Sequence, residues 1–367
     1  MKKLTCSILL LLCVVLTVTA CQPADLTTAP PQPATTESTA PTTASTTAST
    51  TASTTAPTTV PTTVSAAFPV TVLNGSGDEV TIESEPRAIV ITNVWAAEIL
   101  FELIDVDRIK GLSAWGDSPA ISAAADRAAL VKQRVATGQP EGIVALSPDL
   151  VIIDSFSDFD GSLAKTLNDA GAVVLSLNSP TDFEQIKEAI ATLATAVGAP
   201  EKGQALIDSI DNKLKRVTDA LAGLTDEDRL SVMFYDSALD ANGNDTGMLC
   251  AYGSGSPFDA IARAAGLINV VDVATYSSVS KEKVVAEWKP DVLIVSSLVY
   301  GPDFSVTDDG GQAMISAIKS SDLLRTVPAV EKDRVFALTA NHAGSTSHYM
   351  ADAVYELAKV AYPELID

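Results

Sequence analysis

The chain has 367 residues, with 46 acidic side chains against 24 basic ones and a formal charge of −22. Only Lys2, Lys3, Asp25 and Glu37 of those charged groups precede residue 67, so the rest of the chain holds the whole negative excess and is long enough for two lobes, each with its own core. An acidic body without a block of Lys and Arg argues against nucleic acid as partner, since phosphate binding needs clustered cations, and against lying on an anionic membrane through its own side chains.

Residues 1–21 have the order of a secretory leader: a positive start at Lys2-Lys3, an apolar run over 8–18, then small residues before Cys21. The run is too short for a membrane-spanning helix. Leu16-Thr17-Val18-Thr19-Ala20-Cys21 resembles a bacterial lipobox, which makes Cys21 the expected lipid attachment point and the membrane a partner through that anchor only. Cys6 and Cys13 leave with the leader. Cys250 reads as a half-buried packing residue, so this inventory offers neither a disulfide framework nor a metal knuckle. Residues 22–66 are almost entirely Thr, Ser, Pro and Ala, which cannot bury enough apolar surface to offset ordering and read as a disordered tether.

The body opens on a hairpin pattern, Phe68-Pro69-Val70-Thr71-Val72, a turn at Asn74-Gly75-Ser76-Gly77, and a return at Val80-Thr81-Ile82. Strand candidates follow at 88–91, 109–112, 150–153, 173–177, 230–234, 292–295 and 335–338, with helical patterns between most of them. The predicted class is therefore α/β with mainly parallel sheets. The alternation breaks at 181–225. There Thr181-Asp182-Phe183-Glu184 has capping-box form, Phe183, Ile186, Ile190, Leu193 and Val197 mark one helical face, Gly198 and Pro200 stop it, and a second amphipathic helix follows at once. These helices are expected to join an amino-terminal lobe at 67–180 to a carboxy-terminal lobe at 226–367. The halves echo each other: Ser147-Pro148-Asp149 leads into one apolar run and Lys289-Pro290-Asp291 into another.

Several separated motifs carry a resemblance: Glu85-Pro86-Arg87-Ala88-Ile89-Val90, Ile109-Lys110-Gly111-Leu112, Gly138-Gln139-Pro140-Glu141, Ala264-Ala265-Gly266-Leu267-Ile268-Asn269-Val270, and Asp333-Arg334-Val335-Phe336-Ala337-Leu338. In this order and spacing the chain resembles the substrate-binding proteins of ABC importers, in the group that handles ferric siderophores, haem and cobalamin. The resemblance spans about 68–363. It implies two α/β lobes joined by a long helix, a binding protein and not an enzyme, a permease as partner, and a place on the extracytoplasmic face of a bacterial membrane. Ile104 stands where the family usually has Gly, which leaves the local turn open. The resemblance also implies one exposed docking Glu on each lobe. Glu141, eight residues before Asp149, matches that pattern, while Glu282 is nine before Asp291, with Lys283 at the expected position.

In such an architecture the ligand lies between the lobes, on loops after the strand ends. The candidates are Asn93, Trp95 and Trp115 from the first lobe and Tyr235, Tyr252, Tyr300 and His342 from the second, because aromatic rings stack on a flat or greasy ligand at low entropy cost. Trp288 reads as structural. Two His in the whole chain are too few for a bare-metal receptor, no resident cofactor is implied, and the candidate loops lack the Arg cluster expected for an anionic catecholate. A ferric siderophore ranks first as cargo on the breadth of the family, with haem (through a Tyr or His axial ligand) or a corrinoid as alternatives. Asp240-Ala241-Asn242-Gly243-Asn244-Asp245 resembles a calcium loop but lacks the sixth-position Gly and the distal Glu, so a turn is expected.

Two rival classes remain. A tethered hydrolase would need a nucleophile elbow, a zinc motif or a phosphate loop, and none is present; Gly116-Asp117-Ser118 with the distant His342 is the nearest approach to a catalytic pair. An adhesion or sensory module could use the same two-lobe body without transport.

Overall fold

The computed structural model of the chain describes residues 67–158, 160–240, 242–300 and 306–366. The leader, Cys21 and the Thr-rich segment lie outside the described residues. The fold is mixed α/β with two parallel sheets, as the alternation predicts. A hairpin of β1 (Val70–Leu73) and β2 (Glu79–Ile82) precedes a five-stranded sheet of β3 (Ile89–Ile91), β4 (Ile109–Ser113), β5 (Arg134–Val135), β6 (Leu150–Asp154) and β7 (Val173–Leu177). Its order is β5-β4-β3-β6-β7, with every pair parallel. The second half has a four-stranded parallel sheet, β10-β8-β12-β15, built from β8 (Ser231–Phe234), β10 (Ile268–Asn269), β12 (Val292–Ser296) and β15 (Val335–Leu338). Beside it lie two small antiparallel pairs, β9 (Leu249–Tyr252) with β11 (Tyr276–Val279) and β13 (Leu298–Tyr300) with β14 (Val306–Asp308).

The short apolar runs are continuous because both faces of each sheet are covered. Ile89, Ile91, Leu150 and Ile152 join one apolar cluster, while the alternating Val90, Val151 and Ile153 join another on the opposite face. In the second sheet Val232, Val292 and Ile294 split from Met233, Leu293 and Val295 in the same way. The larger cluster is shared by both halves. It runs through α1 (Val94–Leu103), α3 (Phe183–Ala196), α4 (Pro200–Ala220) and the last helix, α7 (Met350–Ala361); α2 is Ser162–Asp169, α5 Pro257–Ala264 and α6 Gln312–Lys319.

The helical break occurs at α3 and α4. Asp182, not Thr181, caps α3: its carboxylate accepts from Gln185 N at 2.9 Å, and Gln185 Oε1 accepts from Thr181 N at 3.0 Å, so the box sits one residue later than expected. Gly198 turns the chain at φ +76°, a conformation a Cβ would strain, and Gly203 lets the helices close, since a Cβ there would fall 2.4 Å from that of Ala194. Ile104 needs no glycine. It ends α1 in extended conformation at φ −132° and is buried, which settles the turn left open above.

The Pro-Asp echo has a structural counterpart. Asp149 accepts from Arg87 N at 2.7 Å and Ala88 N at 3.0 Å, closing the start of β3. Asp291 accepts from Ser231 Oγ at 2.7 Å and Ser231 N at 3.2 Å, closing the start of β8. Before the second Pro-Asp the chain makes a single helical turn, Lys281–Lys283, followed by a wider turn over Val284–Trp288. Cys250 is buried on β9 at 3% exposure, deeper than the half-buried packing position expected. Among the described residues no helix is long and apolar enough to cross a membrane.

Candidate functional site

Each sheet has a point at its carboxyl end where connections leave in opposite directions, the place where open α/β sheets gather ligand-binding loops. In the first sheet β3 lies between β4 and β6; in the second, β8 lies between β10 and β12. The loops after β3, β4 and β6 therefore face one common region, as do those after β8, β12 and β15.

On the first sheet, Asn93 follows β3 and caps α1, its Oδ1 accepting from Ala96 N at 2.9 Å, while its buried Nδ2 lacks a hydrogen-bond partner. Trp95 lies in the core at 6% exposure and donates from Nε1 to Asp154 Oδ2 at 3.1 Å. Trp115 sits on the short turn after β4 and is 45% exposed. That turn is fixed at both ends: Ser113 Oγ accepts from Trp115 N, and the Asp117 carboxylate takes the Arg134 guanidinium from β5, whose hydrogen bonds hold the carboxyl below the usual carboxylate range.

Sequence reasoning missed Asp154 and Phe156. Asp154 ends β6, is buried, and collects three donors: Trp95 Nε1, the Ser179 hydroxyl and Phe156 N at 2.8 Å. It thereby aims the next turn and presents Phe156, which is 57% exposed. The signal was available, since Phe156 follows the apolar run at 150–153 at the offset by which Trp115 follows 109–112.

On the second sheet the aromatic residues behave differently. Tyr235, directly after β8, is 1% exposed and donates its hydroxyl to Asp245, which also takes Lys281 Nζ at 2.8 Å and Ser237 Oγ. Burial, with the Asp245 carboxylate beside it, drives the Tyr235 phenol far above its usual range. Burial also pushes the Asp245 carboxyl up, but the Lys281, Ser237 and Tyr235 donors together bring it below the usual value. Tyr252 ends β9, meets Phe234 edge-on at 5.3 Å between ring centres, and donates to Asp236 Oδ2 at 2.7 Å. Asp236, a further residue not picked out from sequence, is pushed up by burial against the opposing pull of the Tyr252 hydroxyl. Tyr300 ends β13, paired with Val306; its side chain is outside the described residues. The calcium-like segment is a turn, with Asp240 Oδ1 accepting from Asn242 N at 2.8 Å and Asn244 N at 2.9 Å.

His342 lies after β15, with Nδ1 2.6 Å from Glu356 Oε1 on α7. That hydrogen bond raises the imidazole pKa above 6.5; at Glu356 burial opposes, but the bond and Thr339 N hold the carboxyl below 4.5. His342 is thus engaged by Glu356. Its neighbour Asn341 donates to Pro119 O at 2.8 Å, which brings the loop after β15 against the segment that follows Trp115. His348 is buried and pushed down to about 4, mainly by desolvation, so it is neutral at physiological pH. Among the described residues no group of three or more His, Cys, Asp or Glu could hold a metal ion.

Trp288 is 8% exposed and donates to Asp272 Oδ1 at 3.0 Å, in keeping with a structural role. Glu141, on the short helix Pro140–Val144, and Glu282, on the turn Lys281–Lys283, are both exposed. A surface depression lined by Leu224, Leu230, Arg334, Phe336 and Tyr362 lies at the amino ends of β8 and β15, remote from the loops described above.

A family profile described as "Periplasmic binding protein" matches residues 89–342. The chain belongs to that family. Its curated relatives include the ABC transporter substrate-binding lipoprotein YvrC of Bacillus subtilis, 25% identical over 301 residues that cover 81% of this chain and 87% of that protein. A protein of Halobacterium salinarum named cobalamin-binding protein is 25% identical over 296 residues, 80% of this chain and 74% of that one. Among solved structures, the haem-binding protein RhuT of Roseiflexus matches with a TM-score of 0.61 at 22% identity, covering 76% of this chain and 99% of that one. A periplasmic binding protein of Veillonella parvula matches with a TM-score of 0.63 at 20% identity, over 77% of this chain and 93% of that one. At these identities the solved structures establish the fold.

Proposed function

We propose that this protein is the solute-binding component of an ABC importer, holding a metal chelate between a first lobe at 67–180 and a second at 226–367, with 181–225 as the helical link. The carrying observation is the exposure of Trp115 and Phe156 at the carboxyl end of the first sheet, 45% and 57%, on turns fixed by carboxylates. Rings this large, held open on rigid turns, supply contact area for a flat or greasy ligand with little ordering left to lose. Arg134, the guanidinium beside the Trp115 turn, is already engaged by Asp117, which disfavours a strongly anionic chelate. This supports an iron–siderophore complex of low charge. A corrinoid or haem is the second reading, favoured by the relative named cobalamin-binding protein. Asn93, Trp95, Tyr235, Tyr252, Tyr300 and His342 complete the proposed surface, with Trp95 and Tyr235 as buried supports. The relatives named above are binding proteins, in keeping with capture and release without chemistry.

Delivery is assigned to the exposed Glu141 and Glu282, docking on basic permease residues, and attachment to an acylated Cys21 that holds the body outside the membrane. Titrating the protein with ferric siderophores, haem and cobalamin should quench tryptophan emission for one of them, and Trp115→Ala should remove most of that quench and weaken binding roughly tenfold. No response to any of the three would reject the ligand class. Glu141→Ala should lower uptake with affinity intact, and unchanged uptake would reject the docking role.

A further inference from the structure

The two halves meet at a buried carboxylate that neither sheet requires. Glu98 lies on α1 and is 0% exposed. Its Oε1 accepts from two donors of its own half, Ser122 Oγ at 2.9 Å and Ala123 N at 3.0 Å. Its Oε2 accepts from two donors that are 247 and 249 residues away in sequence, Ser345 Oγ at 2.5 Å and Ser347 Oγ at 2.7 Å. All three serines are buried, at 3%, 5% and 0% exposure, so no solvent stands ready to replace a lost donor. The Ser345 and Ser347 hydroxyl oxygens are themselves 2.8 Å apart, and Ser345 Oγ also accepts from Ser347 N at 3.2 Å, contacts that hold both hydroxyls together within their own loop.

The surroundings make this a seam and not a single contact. Asn341 Nδ2 reaches Pro119 O on one side. On the other, Arg127 pairs with Glu102 next to Tyr349, and Lys213 of the linking helix α4 pairs with Asp352 of α7 at 2.7 Å, tying the link to the same helix. Separating the halves at this edge would strip Glu98 of two of its four donors, and an opening too small to admit water would leave the carboxylate short of partners, which is costly. The other two donors stay whatever the halves do. The four bonds therefore divide into a pair that only holds a side chain and a pair that reports on how the halves are placed.

We propose that Glu98 is an inter-half latch: through Ser345 and Ser347 it fixes the angle between the two halves on the α1–α7 side, and so the spacing of the loops that carry Trp115 and His342. The role is independent of which ligand the loops accept. It predicts a molecule whose halves keep one relative orientation without cargo and gain freedom when the two cross-half hydroxyls are lost.

The test is an electron–electron resonance distance measurement on the full-length protein. Spin labels are attached through keto side chains introduced at 165 and 322, where Lys165 is 75% and Asp322 100% exposed. The parent protein should give one narrow distance. Ser345→Ala with Ser347→Ala should broaden it toward longer separations, while Ser122→Ala, which removes a donor to the same carboxylate from its own half, should leave it narrow. A double variant that keeps the parent distribution overturns the latch, and so does a Ser122→Ala variant that broadens as much as the double one. Should the double variant lose its far-ultraviolet dichroism, Glu98→Gln, which keeps the shape and alters the acceptor, is read on the same distance: broadening supports the latch and the parent distribution overturns it.

Discussion

The loops at the two sheet ends solve one problem with opposite results. Each is organised by a single buried carboxylate that gathers several donors: Asp154 in the first half, Asp245 in the second. Around Asp154 the aromatic ring that hydrogen-bonds is buried and the ring next to it, Phe156, is turned outward. Around Asp245 the aromatic ring itself, Tyr235, is the donor and is drawn inside. The lesson is that an aromatic residue just after a strand end is not by that fact a contact surface. At these two hubs the polar tip decides, because the Tyr235 hydroxyl and Trp95 indole N–H reach a buried acceptor, whereas Phe156 has no such tie.

Breaking the second hub should cost most. Asp245→Ala would leave the half-buried Lys281 without its counter-charge and the buried Tyr235 hydroxyl without its acceptor, so we expect a loss of about 3 kcal/mol, the lower end for breaking a buried ion pair. Urea unfolding read at the midpoint measures it, and a loss under about 1 kcal/mol would mean that the hub organises nothing. Asp154→Ala has no cation to strand and should cost less, about 2 kcal/mol for the unpaired Trp95 and backbone donors. Its larger effect should be on Trp95 emission and on the order of the Phe156 turn, both readable without ligand.

The smallest effect sharpens the comparison by pH. His342 is raised above 6.5, so its contribution is complete below that pH and is lost as pH rises through the folded value. Glu356 is depressed below 4.5, so its contribution is complete above that pH and is lost as pH falls through the folded value. The pair should therefore stabilise most between pH 4.5 and 6.5. Glu356→Gln should cost about 1 kcal/mol there and less at pH 8.5, measured by thermal melts at both values. Equal losses at the two pH values would assign Glu356 to packing alone.

Most of the sheet framework was legible in the sequence. The runs at 173–177 and 335–338 coincide with β7 and β15, and the other large strands agree within a residue or two, because strands covered on both faces read as unbroken apolar stretches. The antiparallel pairs β9–β11 and β13–β14 escaped notice. They are short; β9 is almost wholly buried, but β11 and β14 are half-buried or exposed, and none has a periodicity strong enough to stand out. The positions of the candidate loops were legible, and their internal hydrogen bonds only in part. The rule that loops follow strand ends pointed to Trp115, which is exposed on the turn after β4, and applied once more it would have pointed to the exposed Phe156. It could not see that Asp154 lies within reach of Trp95, or that Glu98 meets Ser345, because such pairings are made by folding across long sequence separations and leave no local pattern.

The matched aspartates do the same work in both halves. Asp149 reaches back 62 residues to the backbone N–H that opens one central strand, and Asp291 reaches back 60 to do the same for the other. Each solves the same chemical difficulty, an unsatisfied donor at the mouth of a buried strand, with the same side chain after the same proline and over nearly the same length of chain. Each sheet therefore depends on one long-range side chain to close the start of a buried strand, a tie that no local sequence pattern would enforce.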